Sequence, residues 1–376
     1  MFPKRKHIVF DPLQDIYNAR EDPDLFLDNF KPPIILDEIQ YVPELIPAIK
    51  RRVDESEAKG QYILTGSQNI TILKNISESM AGRVGILRLD GMTPYEMLNK
   101  NNSFCWLEFF LNQPQKLVEH LHSFNMEMGT LTEFLWRGNL PGLLDASNSI
   151  LPDYLNSYIQ TYIERDIRQL SDIKDLQVFR QFLGIAAALT AQEINTSQLG
   201  REIGISPKTA KTWLKLLMHT YKWIELSPYS GNAIKRISSK KKGFLSDSGI
   251  TCFLQRISSP EALHTSLLRG AIFESWGVNF ILRQATHLSV PPLSWHWRTN
   301  GGAEIDLLLE RDGIFYPIEI KCKTKLSKHD TRGIMAFHNT YKRNKISTGM
   351  ILYAGDSCYF INSDVLAIPW NGILSI

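Results

Sequence analysis

The sequence predicts a multidomain α/β protein, and three observations carry the prediction. Short apolar runs alternate with amphipathic helical stretches up to about residue 95, a helix-turn-helix pattern followed by a basic segment occupies residues 196–245, and closely spaced strands return after Leu293. A chain of 376 residues with 43% hydrophobic and 22% charged side chains has core enough for two or three domains. The expected boundaries are 1–95 for a first α/β domain, 96–195 for a helical region, 196–245 for a winged helix-turn-helix and 246–376 for a second α/β domain.

In the first domain the strand signals fall at residues 7–10, 34–36, 62–64 and 84–89, separated by helical stretches, the pattern of a parallel sheet. The run Ile34-Ile35-Leu36 ends in Asp37-Glu38, which is how a buried parallel strand delivers carboxylates to an ATPase site. Ser67 follows the next strand, at the end of the sheet where open α/β folds bind ligands, and Arg83 precedes residues 84–89. Acids so placed normally work with a loop Gly-x-x-x-x-Gly-Lys-Ser/Thr that cradles phosphate. No Gly-Lys pair occurs anywhere in the sequence, so ATP hydrolysis by this chain is expected to be deficient.

The region 96–195 reads mainly as helices. Its most regular part, residues 154–170, repeats Tyr154, Leu155, Tyr158, Ile159, Tyr162, Ile163 and Ile167 at helical spacing, which predicts a packing helix without chemistry of its own.

Residues 196–225 predict a helix-turn-helix. A short first helix covers 197–203, Gly204-Ile205 makes the turn, and Ser206-Pro207 supplies an N-cap with proline at the first helical position. The second helix buries Ala210, Trp213, Leu214, Leu217 and Met218, and presents Lys208, Lys211 and Lys215 on another face. Residues 223–226 read as a strand, and Lys235, Arg236, Lys240, Lys241 and Lys242 would form a basic wing. Between Arg201 and Gly243 ten basic side chains face two acidic ones, a local net charge of +8 in a chain whose total is +3. That footprint predicts binding to nucleic acid, with duplex DNA the expected partner and phosphate contacts carrying a salt-dependent affinity.

The C-terminal strands are expected at 295–298, 304–309, 314–320 and 350–353. Glu319 and Lys321 are two apart and share one face, with Ile318 and Ile320 on the other. Asp306 lies thirteen residues before Glu319, on the adjoining strand, and Glu274 sits in a preceding helix. Two carboxylates and a backbone carbonyl suit Mg²⁺, which takes hard oxygen ligands and keeps several waters. Asp306 and Glu319 are therefore the expected ligands, Lys321 the water-positioning group and Glu274 an auxiliary acid, a set suited to phosphodiester cleavage. A non-enzymatic nucleic-acid or protein-interaction module, with these pairs as structural ion pairs, is the competing expectation.

Cys105, Cys252, Cys322 and Cys358 lie far apart with no Cys-x-x-Cys spacing, which predicts neither zinc nor disulfides and fits the reducing cytoplasm. No apolar run is long enough to span a bilayer, so no membrane partner is expected.

Taken in order, Ile34-Ile35-Leu36-Asp37-Glu38-Ile39-Gln40, Leu64-Thr65-Gly66-Ser67, Ala81-Gly82-Arg83, Phe244-Leu245-Ser246-Asp247-Ser248-Gly249 and the segment from Trp297-Arg298 through Glu304-Ile305-Asp306 to Ile318-Glu319-Ile320-Lys321 resemble the prokaryotic AAA-type ATPases with an uncharacterised C-terminal domain. The resemblance runs along essentially the whole chain. It implies a winged helix followed by a restriction-endonuclease-like core. It also implies that Asp37 and Glu38 correspond to the Walker B acids, Ser67 to the sensor position and Arg83 to an arginine finger. ATP is then the ancestral ligand. This chain opens near the family's second strand, which predicts a truncated start or a sheet completed by a partner subunit or a second copy.

Overall fold

A computed structural model describes residues 5–10, 13–66, 80–97, 106–123, 129–167, 173, 175–231 and 240–374. The chain divides into two compact units, one formed by Met1–Leu89 with Glu164–Asp172, the other by Asp90–Ile163 with Ile173–Ile376.

The first unit holds three parallel strands, β1 (Lys6–Val9), β2 (Ile34–Asp37) and β3 (Tyr62–Leu64), in that order. Ile34 and Leu36 of the middle strand are fully buried. Helices α1 (Leu13–Glu21), α2 (Pro23–Asn29) and α3 (Leu45–Asp54) supply Ala19, Phe26, Leu27, Leu45, Ile46 and Ile49 to the same core. Helix α2 starts where it does because Asp22 caps it, accepting the Leu25 amide at 2.9 Å, with Pro23 at the first helical position. The strand expected at 84–89 is absent: Ile86, Leu87 and Leu89 are exposed, and no described strand offers that segment a hydrogen-bonding ladder. Apolar alternation alone does not make a strand without a neighbour to pair with.

The first described strand of the second unit is the short β4 (Leu121–Ser123), and the helix expected over 154–170 runs there as α4 (Leu151–Thr161) before a π-helical stretch, Tyr162–Ile167, whose residues from Glu164 on group with the first unit. Helix α5 (Leu176–Ala188) precedes the short strand β5 (Gln192–Glu193), and α6 (Thr196–Glu202) and α7 (Pro207–His219) form the expected helix pair. Local chemistry fixes both starts. Asn195 accepts the Ser197 and Gln198 amides, and Ser206 Oγ accepts the Thr209 amide at 3.0 Å. Trp213 packs edge-on against Phe179 and Phe182, with ring centroids 5.2 and 5.3 Å apart, so α7 is anchored on α5 through aromatic faces. Strands β6 (Trp223–Pro228) and β7 (Lys242–Leu245) follow as an antiparallel pair, with β5 beside β7.

That pair does not stand alone. Ser227 and Pro228 of β6 pair in parallel with Trp295 and His296 of β8 (Leu293–Arg298), so one sheet carries strands from both sides of residue 245. It continues through β9 (Glu304–Arg311) and β10 (Ile314–Lys321) to β12 (Gly349–Tyr353), β14 (Val365–Pro369) and β13 (Tyr359–Asn362), with β11 (Lys345–Ile346) also on β10. The pairings β8/β9/β10 are antiparallel and β10/β12/β14 parallel. Because β10, β12 and β14 lie inside the sheet they are buried along almost their whole length. Helices α8 (Arg269–Ala285) and α9 (Arg332–Thr340) pack on this sheet. Ile334, Phe337, Trp297, Phe315 and Ile351 form the core under α9. No helix among the described residues is long and apolar enough to cross a membrane.

Candidate acid and lysine site

Strands β9 and β10 set the site. Their antiparallel register pairs Ile318 with Leu307, so the next step along the ladder brings Glu319 opposite Asp306. Asp306 is fully enclosed, and its Oδ2 accepts the Ile320 amide at 2.9 Å, which ties the acid of one strand to the backbone of the other. Lys321 Nζ stands 2.6 Å from Glu319 Oε2, as the two-residue spacing requires for side chains on one face.

Two helices close on this corner through positions without a side chain. At Gly333, in the first turn of α9, a Cβ would run into Glu319 Oε1 and the Glu304 carbonyl oxygen. The bare backbone lets the Ile334 amide donate to Glu319 Oε1 at 3.2 Å, so a helix N-terminus meets the carboxylate. At Gly277 of α8 a Cβ would come within 3.0 Å of Ile320 Cδ1 and Leu352 Cδ2. That close approach brings Glu274, one turn earlier on α8, down to the site.

There Glu274 meets Lys242, contributed by β7. The Lys242 ammonium lies 2.5 Å from Glu274 Oε1 and 3.2 Å from Asp306 Oδ1, and its side chain is 9% exposed. The site is thus a network of two buried acids from β9 and β10 and a partly buried one from α8, with two lysines from β7 and β10. His296 of β8 is buried beside it, its Nε2 3.2 Å from the Lys240 carbonyl oxygen.

The electrostatics follow from enclosure. Burial pushes the Glu319 carboxyl up to about 7 against the pull of Lys321, and pushes Glu274 up to about 8, with Asp306 adding to the rise and Lys242 opposing it. Burial works in the same direction on Asp306, but Lys242, Lys321 and the Ile320 amide overcome it and hold that carboxyl below its usual range. Both lysines are held above their ordinary value because Asp306 and their paired glutamates outweigh burial. Burial also lowers His296 to about 4, which keeps the imidazole neutral.

In donor chemistry the site fits Mg²⁺: Asp306 and Glu319 offer hard oxygens, and each carboxylate keeps lone pairs beyond those used by an amide and a lysine. Among the described residues, however, no three His, Cys, Asp or Glu side chains gather closely enough to hold a metal by themselves. Water or a phosphate oxygen would have to complete the shell, as is usual for Mg²⁺.

The basic residues divide into three groups. Lys208, Lys211 and Lys215 are exposed on α7, and Lys240 and Lys241 are exposed beside β7, Lys241 paired with Glu225 at 3.0 Å. Lys235 and Arg236 lie outside the described residues. Lys242 corrects the sequence expectation, since it is enclosed and ion-paired with two acids and has no face for a phosphate. Its parity could have shown this: on a strand Lys242 shares a face with Phe244, which is fully buried.

In the first unit, Asp37 closes β2 and Thr65 follows β3. The Thr65 hydroxyl donates to Asp37 Oδ1, the Glu38 amide donates to the same oxygen at 3.1 Å, and His7 Nε2 lies 3.4 Å from Oδ2. Glu38 adopts a left-handed conformation, φ 58°, uncommon for a residue with a side chain, and Gln40 Nε2 donates to its carboxylate. Arg83 is ion-paired with Asp54. Ser67 lies outside the described residues.

Comparison with known proteins adds a coarse frame. Residues 3–98 match a family model described as an AAA domain. Residues 128–261 and 269–373 match two models described as domains of unknown function, DUF8612 and DUF4143. The chain is similar to the uncharacterized proteins Rv2008c of Mycobacterium tuberculosis and Mb2031c of Mycobacterium bovis. Each is 26% identical over 356 residues, which is 94% of this chain and 72% of the relative. The N-terminal region is AAA-like in sequence and α/β in fold, consistent with an AAA-type ATPase-like protein.

Proposed function

We propose that the second unit is a divalent-metal-dependent phosphodiesterase acting on nucleic acid, attached to an AAA-like unit that is deficient in ATP hydrolysis. The observation that carries this reading is the convergence of Asp306, Glu319 and Lys321 at one end of the β9/β10 pair, joined by the Ile320 amide and the Lys321–Glu319 ion pair. Asp306 and Glu319 would hold the metal and Glu274 would stand behind them as a further acid. A bound divalent ion would lower the pKa of its water and stabilise charge growing on the phosphodiester. Lys321, with its side chain 25% exposed, would hold that water or an oxygen of the phosphate.

The order helix, short strand, two helices, strand pair supports a winged-helix reading of the region from α5 to β7. Lys208, Lys211, Lys215, Lys240 and Lys241 are its phosphate-facing residues, and duplex DNA is the proposed partner. Asp37 and Glu38 are the proposed nucleotide-facing acids of the AAA-like unit. Without a Gly-Lys pair in the sequence, a titration with Mg-ATP is expected to show no tight binding by this chain.

The test is cleavage. Plasmid, linear duplex, single-stranded DNA and RNA are incubated with the chain and Mg²⁺ or Mn²⁺. Metal-dependent nicking that disappears in Lys321→Ala, while binding persists, is the expected result. Unchanged nucleic acid with both metals overturns the reading. A second reading, a nucleic-acid-binding module without cleavage, is favoured by one observation: Lys242 already neutralises Glu274 and Asp306. Binding without cleavage in the same experiment would select it.

A further inference from the structure

Lys242 comes from a strand outside the β9/β10 pair, yet its ammonium lies between two acids of different elements, Glu274 of α8 and Asp306 of β9. Asp306 Oδ2 is occupied by the Ile320 amide, so Oδ1, the oxygen that faces Lys242, is the one left for a cation. Lys321 is engaged separately with Glu319. Two enclosed carboxylates, Asp306 and Glu319, and the partly buried Glu274 share two ammonium groups, so the site tolerates exchange of one cation for another but not simple loss of one, because an unpaired buried carboxylate is costly.

We propose that Lys242 is a built-in counter-cation that occupies Asp306 Oδ1, the oxygen through which Asp306 would join Glu319 in holding the divalent metal, so that metal binding requires the Lys242 ammonium to leave. The inference rests on the metal-dependent reading above and adds what that reading does not contain: a competitor for the metal carried by the chain itself. It makes Lys242 a positioning residue that sets metal affinity and does not touch substrate. The Lys240 and Lys241 side chains on the same segment remain in solvent.

The experiment measures Mn²⁺ binding to the full chain by electron paramagnetic resonance of the free ion, in wild type and Lys242→Met. Binding that survives in an Asp306→Asn/Glu319→Gln variant is subtracted as background. Methionine keeps the length of the side chain and removes its charge. Lys242→Met is expected to bind Mn²⁺ at least about tenfold more tightly, since the ion no longer has to displace an ammonium paired with two acids, a step that costs more than the roughly 1.4 kcal/mol equivalent to one decade of affinity. Equal affinity in a folded variant overturns the proposal and leaves the metal-dependent reading standing. Absence of site-specific Mn²⁺ in both proteins overturns the two together.

If the variant does not fold, wild type decides. Reductive methylation followed by peptide mass spectrometry should leave Lys242 protected without metal and label it at saturating Mn²⁺. Protection that persists with the site loaded overturns the proposal.

Discussion

Asp306 Oδ2 accepts the Ile320 amide at 2.9 Å while Oδ1 faces the Lys242 ammonium at 3.2 Å, so one enclosed carboxylate ties together β9, β10 and β7. Removing it leaves a buried amide without an acceptor and a buried ammonium with one acid in place of two. Losses of roughly 3–5 kcal/mol are typical for breaking such a pair from one side. Asp306→Ala is expected at the low end of that range, because Glu274 still holds Lys242. Asp306→Asn should lose less, since an amide oxygen can still accept from Ile320. Urea denaturation of the three proteins checks both the size and the order.

His296 gives the stability a pH dependence of known sign. It is buried against the Lys240 carbonyl, with Lys242, Glu193 and Asp306 as the charged groups that act on it, and its pKa is lowered to about 4. Above about pH 6.5 the imidazole is neutral in both folded and unfolded chains and adds no slope. As pH falls toward 4 the unfolded chain takes up the proton and the folded chain does not, so stability drops. Between about pH 7 and about pH 5 the loss from this group should approach roughly 2 kcal/mol. Subtracting the denaturation curves of His296→Gln from wild type isolates the effect from Glu274 and Glu319. A difference that stays constant across that range would show that the ring titrates normally.

The exposed lysines of α7 should act through phosphate charge alone. Each phosphate contact contributes about 0.9 to the slope of log affinity against log salt. The triple change Lys208→Ala, Lys211→Ala and Lys215→Ala should therefore flatten the slope for duplex DNA by up to about 3, with little change in sequence preference. Fluorescence anisotropy at several salt concentrations measures it. An unaltered slope would remove α7 from the interface.

The elements that could be read from sequence are those whose local chemistry specifies them. Ser206-Pro207 begins α7 because a side-chain cap and a preset φ act within three residues, and the strand runs at 34–36 and 304–309 are apolar enough to need a core. The thirteen-residue spacing of Asp306 and Glu319 made a hairpin register with the two side by side easy to build. What stayed hidden depends on partners distant in sequence. Residues 84–89 carry a strand pattern but find no described neighbour, and β13 and β14 come after the last strand that was expected. Lys242 looked like one of three basic residues in a row. Parity with Phe244 could mark that side chain as inward-facing, but the acids it meets, more than thirty residues away, are set by the docking of β7 beside β6 and of β6 beside β8.

Gly333 offers a test in which two effects of known size oppose each other. In an ordinary helix, Gly→Ala is stabilising by roughly 0.5–1 kcal/mol because it restricts the unfolded backbone. Here the new Cβ would collide with Glu319 Oε1 and with the Glu304 carbonyl oxygen, which belongs to the β9 backbone and cannot rotate away. Forcing one carbon into a packed site typically costs about 1–3 kcal/mol. The second effect should win, so Gly333→Ala is expected to destabilise by about 1–2 kcal/mol and to pull the Ile334 amide away from Glu319. Gly270, also in a helix but with nothing within 4 Å of its built Cβ, is the control, and Gly270→Ala should shift the midpoint the other way. If both substitutions stabilise the chain, the first turn of α9 does not rest on the Glu319 carboxylate, and the closed geometry drawn for that corner of the site is wrong.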